Sequence, residues 1–481
     1  MSLTGAMMTA RSSLAARSAE LSITSQNIAN VNNQNYHRQT ASVHTIVSDS
    51  GMGIYVKNAK RAASDSALDA VFKSQSVATA SGSYGTLLNE LESSVGKPFT
   101  TGISMSIGQL QGDLRTYSNE PSNMVMAQQV VNSVGSLANT IKQASADIQK
   151  TRMSADQSIE LAVKNINKTL ADIETINREI VRGTALGHDV NAKLDERDAM
   201  LKTLSSEMGI DVLYREKNDI AIYTDSGITL FETSAREVSF TPTGVFDGST
   251  VANNVFVDGV TVAGPGARNP IKGGAIAGYA KMRDETAITM QKQVDELAFS
   301  LIDAFKETDP AGGGADAPGL FTWAGGTAMP TRPADVDNIA ASIQVNDAYV
   351  GNLELVRDGA TYDYNPDNNA AYADRLNTLV DSMKQSRTFD AAASVNTESD
   401  LMQFAANTAS WFAAERKRGT ETAALNSTAF RAANETLSGK TGVSIDKQMQ
   451  LLLSIEKSYS ASARLLTTID GMFQTLLNAA R

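Results

Sequence analysis

The sequence predicts an α+β chain of several domains: paired N- and C-terminal coiled-coil helices, an elongated helical bundle, and a small outer β-rich domain. Three observations predict it. Apolar residues recur at seven-residue spacing at both ends of the chain. All ten prolines fall between positions 98 and 366, and the Pro-free stretches 1–97, 122–241, 271–309 and 367–481 let helices run unbroken. Between Ile210 and Val262 the apolar period changes from 3.6 to 2, the strand period.

The N-terminal column is Met7, Leu14, Leu21 and Ile28, with Leu3 and Ala10 on the same seam, although Arg17 and Thr24 interrupt its second column. The C-terminal column is stronger: Ile445, Leu452, Tyr459, Leu466 and Phe473, joined by Ile455, Ile469 and Leu476. A helix from Ser444 to Ala479 is roughly 54 Å long at 1.5 Å per residue. Two such helices, each with one apolar seam, are expected to pair with each other. Between them, Val134, Ile141 and Ile148 predict a helix from Asn123, and Ile159, Ile166, Ile173 and Ile180 continue its face to a C-cap at Gly183. Leu194, Leu201, Leu204 and Met208 mark a shorter helix ended by Gly209. Ile276 to Phe305 carries another stripe, and 399–437 another, with Leu401, Phe404, Trp411, Leu425 and Leu437 as its larger apolar residues.

In the β region, Ile220 to Tyr223 and Ile228 to Leu230 flank a turn. Val255 to Val262 reads as a hairpin with Asp258-Gly259 at its two-residue turn. Residues 311–337, rich in Gly, Pro and Ala, read as loop, and Ile343 to Val356 as further strands. These signals divide the chain into 1–35 with 440–481 (terminal coiled coil), 36–208 with 274–308 and 372–439 (helical), 209–273 (β-rich), and a loop/β insertion at 309–371.

Composition narrows the function. The 42 basic against 53 acidic residues give −11 and a pI near 5.0, a poor balance for displacing counterions from nucleic acid. The charge is also uneven: residues 1–62 carry +4 and 440–481 carry +2, leaving −17 for the middle. No apolar run approaches the length of a membrane span, and Met1 to Ala10 has no ordinary secretory signal pattern. Cysteine is absent, which removes disulfides, thiolate metal sites and thiol nucleophiles together.

Nor do the chemical motifs hold. Gly439-Lys440-Thr441 resembles the end of a phosphate loop, but its required first glycine falls on Asn434. Gly51-Met52-Gly53 is followed at the third glycine position by Val56. His37 and His44 lack clustered carboxylates, and 309–319 lacks the alternating oxygen ligands of a calcium loop. No Gly-x-Ser-x-Gly elbow occurs. The expectation is therefore no catalytic residue, no cofactor and no metal.

The most specific local sequence is Ser25 to Tyr36. Its Asn27-Ile28-Ala29-Asn30, followed by Tyr36, resembles the N-terminal signature of the bacterial flagellar rod, hook and hook-associated axial proteins. That family's Thr-Pro-Gly is replaced here by Asn33, Gln34 and Asn35. Asn35, which tolerates the left-handed region, is expected to stand in for the glycine. Ser458 to Ala463, Ile469-Asp470-Gly471-Met472 and Leu476-Leu477 resemble the closing helix of the same family. Leu194-Asp195-Glu196-Arg197-Asp198, the extension Tyr36-His37-Arg38-Gln39, and Gly278 to Arg283 resemble its hook-associated members at the hook–filament junction.

The resemblance implies a secreted structural subunit, exported by the flagellar type III apparatus and assembled through its terminal helices. It implies self-association in a ring or tube, hook protein and hook-associated protein 3 as neighbours, and an export chaperone on the C-terminal helix. The implied assembly residues are Met7, Leu14, Leu21, Asn27, Ile28, Asn30, Tyr36, Ile445, Leu452, Ile455, Tyr459, Leu466, Ile469, Phe473 and Leu476. Two alternatives stay open: a hook or distal-rod protein, which lacks the long 123–208 helical stretch, and a non-flagellar coiled-coil scaffold.

Overall fold

The chain begins and ends in helices that touch. In the computed structural model, which describes residues 3–48, 51–97, 102–324, 326 and 328–479, α1 spans Leu3–Ala29. The outermost residues of the terminal segment, 1–2 and 480–481, lie outside the described residues. A hairpin follows, β1 (Gln39–Ser48) and β2 (Gly51–Arg61), antiparallel with a bulge near Ala41. The helices α2 (Asp65–Lys97), α3 (Ile103–Asn119) and α4 (Met124–Ala185) come next.

Helix α4 is one continuous element of 62 residues. Its apolar stripe lapses around 151–158 because that stretch faces a polar core. Arg152 and Asp156 are buried there, while Ala155 alone carries the apolar column. At its far end the helix runs past Gly183, and the left-handed residue is Gly187, with φ 74°. Gly183 serves a different need, since a Cβ there would stand 2.5 Å from Val190 Cγ1.

After α5 (Asn191–Glu207) the strands β3 (Ile210–Tyr214), β4 (Ile220–Thr224) and β5 (Thr229–Phe231) form an antiparallel sheet in sequence order. A second sheet pairs β6 (Val238–Ser239), β7 (Val255–Val257) and β8 (Val260–Ala263). Asp258 (φ 50°) and Gly259 (φ 79°) turn between β7 and β8, the double positive φ that this two-residue connection needs. Then α6 (Ala275–Lys281) passes through one wide turn, Met282–Thr286, into α7 (Ala287–Ala304).

Among the described residues, the 309–399 stretch holds short elements: β9 (Phe321–Thr322), β10 (Gln344–Val345), α8 (Asp347–Gly351), α9 (Leu355–Asp358), α10 (Asp374–Ser382), β11 (Arg387–Thr388) and β12 (Glu398–Ser399). The strands expected across Ile343 to Val356 are thus mostly helix. The Asn346 side chain accepts from the Ala348 N–H and caps α8, which ends the strand after two residues. Two long helices close the chain, α11 (Leu401–Thr441) and α12 (Ile445–Ala479).

Contacts group these elements into two units. One is Met1–Ala78, Asn165–Glu237 and Asn426–Arg481; the other is Thr79–Lys164 and Val238–Leu425. The first holds α1, α12, the hairpin, α5 and the β3–β5 sheet, with Ile176, Ile180 and Leu194 as a buried cluster. In the second, Leu88, Leu110, Val134, Ile141, Leu297, Leu301, Tyr349 and Phe404 share one large core. That core has a polar heart: Arg283, fully buried, donates to Asp156 (2.6 Å), Asp284 (2.8 Å) and the Asn253 carbonyl (2.9 Å).

Candidate functional site: the paired terminal helices

Helix α1 packs against both α12 and the β1–β2 hairpin, with small residues at most of its buried positions, while α12 buries a heptad-spaced column. Along α1 the buried positions are Gly5, Ala10, Ala16, Thr24 and Asn27. Along α12 they are Gln448, Ile455 and Ile469, with Leu452, Leu466 and Phe473 half-buried between and beyond them. Without bulky side chains on α1 the backbones come close, and the Ser13 and Ser462 hydroxyls lie 3.2 Å apart.

The expected assembly residues therefore divide. Leu452, Ile455, Leu466, Ile469 and Phe473 lie on the covered side of α12, and Leu14 and Ile28 are half-buried on α1. Met7, Leu21, Ile445, Tyr459 and Leu476 are exposed, with Met449, Leu453, Leu465, Met472 and Leu477 also exposed along α12. Leu476 and Leu477 are 61% and 67% exposed, so the last turns offer a bare apolar surface.

Asn27 is the fixed point of the pair. Its Nδ2 donates to the Gln39 carbonyl (2.8 Å) and to Gln448 Oε1 on α12 (3.0 Å). Its Oδ1 accepts from the Gln39 N–H (2.9 Å) and from the Tyr36 hydroxyl (2.9 Å). All four hydrogen-bonding positions of the amide are filled at 1% exposure. Burial, and then the nearby Asp195 carboxylate, push the Tyr36 phenol up to about 12, so it stays a donor. Asn30 does less: its Nδ2 donates to the Gln26 carbonyl one turn back (2.9 Å).

The 30–36 turn does not use a left-handed Asn35. No residue in it has a positive φ. Instead the Asn33 side chain accepts from the Asn35 N–H (3.1 Å) and the Asn33 carbonyl from the Tyr36 N–H (3.1 Å), which turns the chain without glycine.

Next to this knot, segments far apart in the sequence meet. His37 donates to Asp195 through its backbone N–H (3.3 Å) and lies 2.7 Å from it through Nδ1. Arg61, at the end of β2, donates from Nε to Asp195 (2.6 Å) and from Nη2 to Asp198. Arg197 donates to Asn177 Oδ1 (2.9 Å), and burial pulls its guanidinium below the usual arginine range. The spacing of Asp195, Arg197 and Asp198 on α5 was visible in the sequence. Their partners were not, because residues 134 and 158 positions apart carry no local signal.

The corner into α12 is equally specific. The Arg38 N–H donates to the carbonyl of Thr441, the last residue of α11 (2.7 Å). At Gly442 an added Cβ would meet the Ser438 carbonyl oxygen at 2.5 Å. Gly439 lies inside α11, so the break between the two helices falls after Thr441, at Gly442. Among the described residues no three His, Asp or Glu side chains converge as metal ligands, and no helix is long and apolar enough to cross a membrane.

Comparison with known proteins bears on these segments. Residues 88–320 match the helical domain of the flagellar hook-associated protein FlgK, and residues 439–479 match the C-terminal region of the flagellar basal body rod FlgEFG proteins. The flagellar hook-associated protein 1 of Bacillus subtilis is 23% identical over 98% of this chain and 97% of its own length. That of Escherichia coli is 25% identical over 70% of this chain and 63% of its own. The flagellar hook junction protein FlgK of Burkholderia pseudomallei aligns structurally with a TM-score of 0.43 at 21% identity, over 53% of this chain and 46% of that one. The chain is thus similar from end to end to the Bacillus subtilis hook-associated protein 1, and two flagellar family models match within its helical body and its closing helix.

Proposed function

We propose that the chain is a structural subunit of the bacterial flagellum that forms the junction between hook and filament, exported by the type III route and assembled through its terminal helices. The observation that carries the reading is the double character of α12. One side is committed to α1 through Gln448, Ile455 and Ile469, and the other leaves Leu453, Leu465, Met472, Leu476 and Leu477 bare. An uncovered apolar stripe of that length belongs to a surface that another chain will cover. Its occupants are neighbouring copies in a ring or tube, hook protein on one side and hook-associated protein 3 on the other. Before assembly an export chaperone shields the same helix. The role is mechanical, and we assign the chain no catalysis, cofactor or metal.

The test is a gene deletion viewed by electron microscopy. Hooks without filaments, with filament protein leaking into the medium, support the junction role. Loss of the hook itself moves the chain to the hook or distal rod, and intact filaments leave a non-flagellar coiled-coil scaffold. Two point variants separate folding from assembly. Leu466→Asp disturbs both, because Leu466 is half-buried. Leu476→Asp, at a bare position, blocks incorporation while leaving the α1–α12 pair intact.

A further inference from the structure

A continuous line of buried polar contacts runs from the C-terminal helix to α5. Gln448 on α12 holds the Asn27 amide, and Asn27 holds Tyr36 and both backbone groups of Gln39. Between those two residues sits His37, whose backbone and ring both engage Asp195 on α5. Asp195 and Asp198 in turn grip Arg61, where the hairpin returns. Gln448, Asn27, His37, Gln39, Asp195 and Asp198 are all buried.

The line begins on the least committed element. Only Gln448, Ile455 and Ile469 are buried along the 35 residues of α12. A helix with so few buried side chains opens at a lower free energy than the domain around it. When it opens, water reaches Asn27, and the hydrogen bonds that fix Tyr36 and Gln39 must compete with solvent. His37, pinned between those residues, then loses the geometry that places its N–H on Asp195.

We infer that the Gln448–Asn27–His37–Asp195 line is a conformational latch. Seating α12 and setting the base of the β1–β2 hairpin on α5 are one event, so undocking the last helix loosens a segment some 400 residues earlier, Gln448 and Asn27 being 421 positions apart. Linkage makes the effect reciprocal: weakening His37 on Asp195 releases α12 by the same factor.

Residue-resolved hydrogen exchange on the full chain tests this. Gln448→Met keeps the side-chain length and removes the acceptor. It is expected to speed exchange at the His37 and Gln39 amides about tenfold. Asp195→Asn, at the other end, is expected to speed exchange around Gln448 to Ile455, which a purely local role for Asp195 would leave untouched. The double variant should open no further than the worse single one. Tyr36→Phe, which deletes one hydroxyl, is the milder probe should either variant fail to fold, and protection of Val134 to Ile148 in the other unit reports intact folding. Unchanged exchange at His37 and Gln39 in Gln448→Met overturns the latch. So does an unchanged α12 in Asp195→Asn, independent multiplication of the two effects, or a wild-type chain whose α12 amides are unprotected from the start.

Discussion

The hydroxyls of Ser13 and Ser462 meet at 3.2 Å across 449 residues of sequence. The Ser462 hydroxyl also lies 2.9 Å from the Ser458 carbonyl, and either hydroxyl can donate between the two helices. The contact marks where α1 and α12 come close, and it tolerates no bulk. Ser462→Leu is expected to wedge the helices apart at a cost of about 1–3 kcal/mol. Exchange protection along both helices should fall while that of Val134 to Ile148 in the other unit stays constant. Unchanged protection of α1 would mean the helices are held by something other than this close approach.

The two asparagines of the N-terminal signature are unequal. Asn27→Ala strips partners from the buried Gln39 backbone, the Tyr36 hydroxyl and Gln448, and is expected to cost about 3 kcal/mol or more. Asn30→Ala removes one local bond to Gln26 and should cost about 0.5 kcal/mol. Urea midpoints of the two variants check the ranking, and equal losses would remove Asn27 from its central place.

Gly278 has a steric duty. A Cβ there would stand 2.2 Å from the Ala80 carbonyl oxygen, so α2 and α6 touch backbone to backbone. Gly278→Ala forces them apart and should lower stability by about 1–3 kcal/mol, read as a drop in thermal midpoint. A midpoint at or above that of the wild type would show that α6 shifts freely.

Asp295 supplies a pH dependence. Burial, opposed by the Ala340 and Asn338 N–H groups, pushes its carboxyl from the ordinary 3.8 up to about 7. Between those values the folded chain holds a proton that the unfolded chain releases. This contribution is therefore full below about pH 4 and is lost as pH rises through 7, by on the order of 4 kcal/mol for the whole shift. Asp295→Asn stays neutral throughout. Urea denaturation at pH 5 and pH 8 should show the wild type losing stability relative to this variant; parallel losses would place the titration elsewhere.

How far the sequence revealed this arrangement depended on whether the signal was local. The heptads at Met7–Ile28 and Ile445–Phe473 showed that both ends are helical, and Asp258-Gly259 fixed a hairpin to the residue. The β1–β2 hairpin went unseen because no turn signal of the Asn-Gly kind separates its strands, and it lay inside a Pro-free stretch read as helical. Helix α4 was legible as one continued face, although its apolar column thins at 151–158, where its own Arg152 and Asp156 are buried beside Arg283 and periodicity counts only apolar residues. The α1 column misled in detail. Met7 and Leu21 are exposed while the buried positions of α1 include the small Gly5, Ala10 and Ala16, and small residues leave little trace in a search for bulky ones. Asn27, His37 and Asp195 were each noticed in the sequence, but only the fold brings them together.

The three-part make-up of the unit holding both termini has a bearing on timing. It draws on Met1–Ala78, Asn165–Glu237 and Asn426–Arg481, whereas the other unit needs nothing beyond Leu425. Closing a loop of several hundred residues is slow and entropically costly, and here it waits on the last stretch of chain. A polypeptide emerging N-terminus first therefore completes its second unit while its opening helix is still without a mate. The pairing of α1 with α12, on which the proposed assembly surface rests, thus forms after the contacts of the other unit can be made.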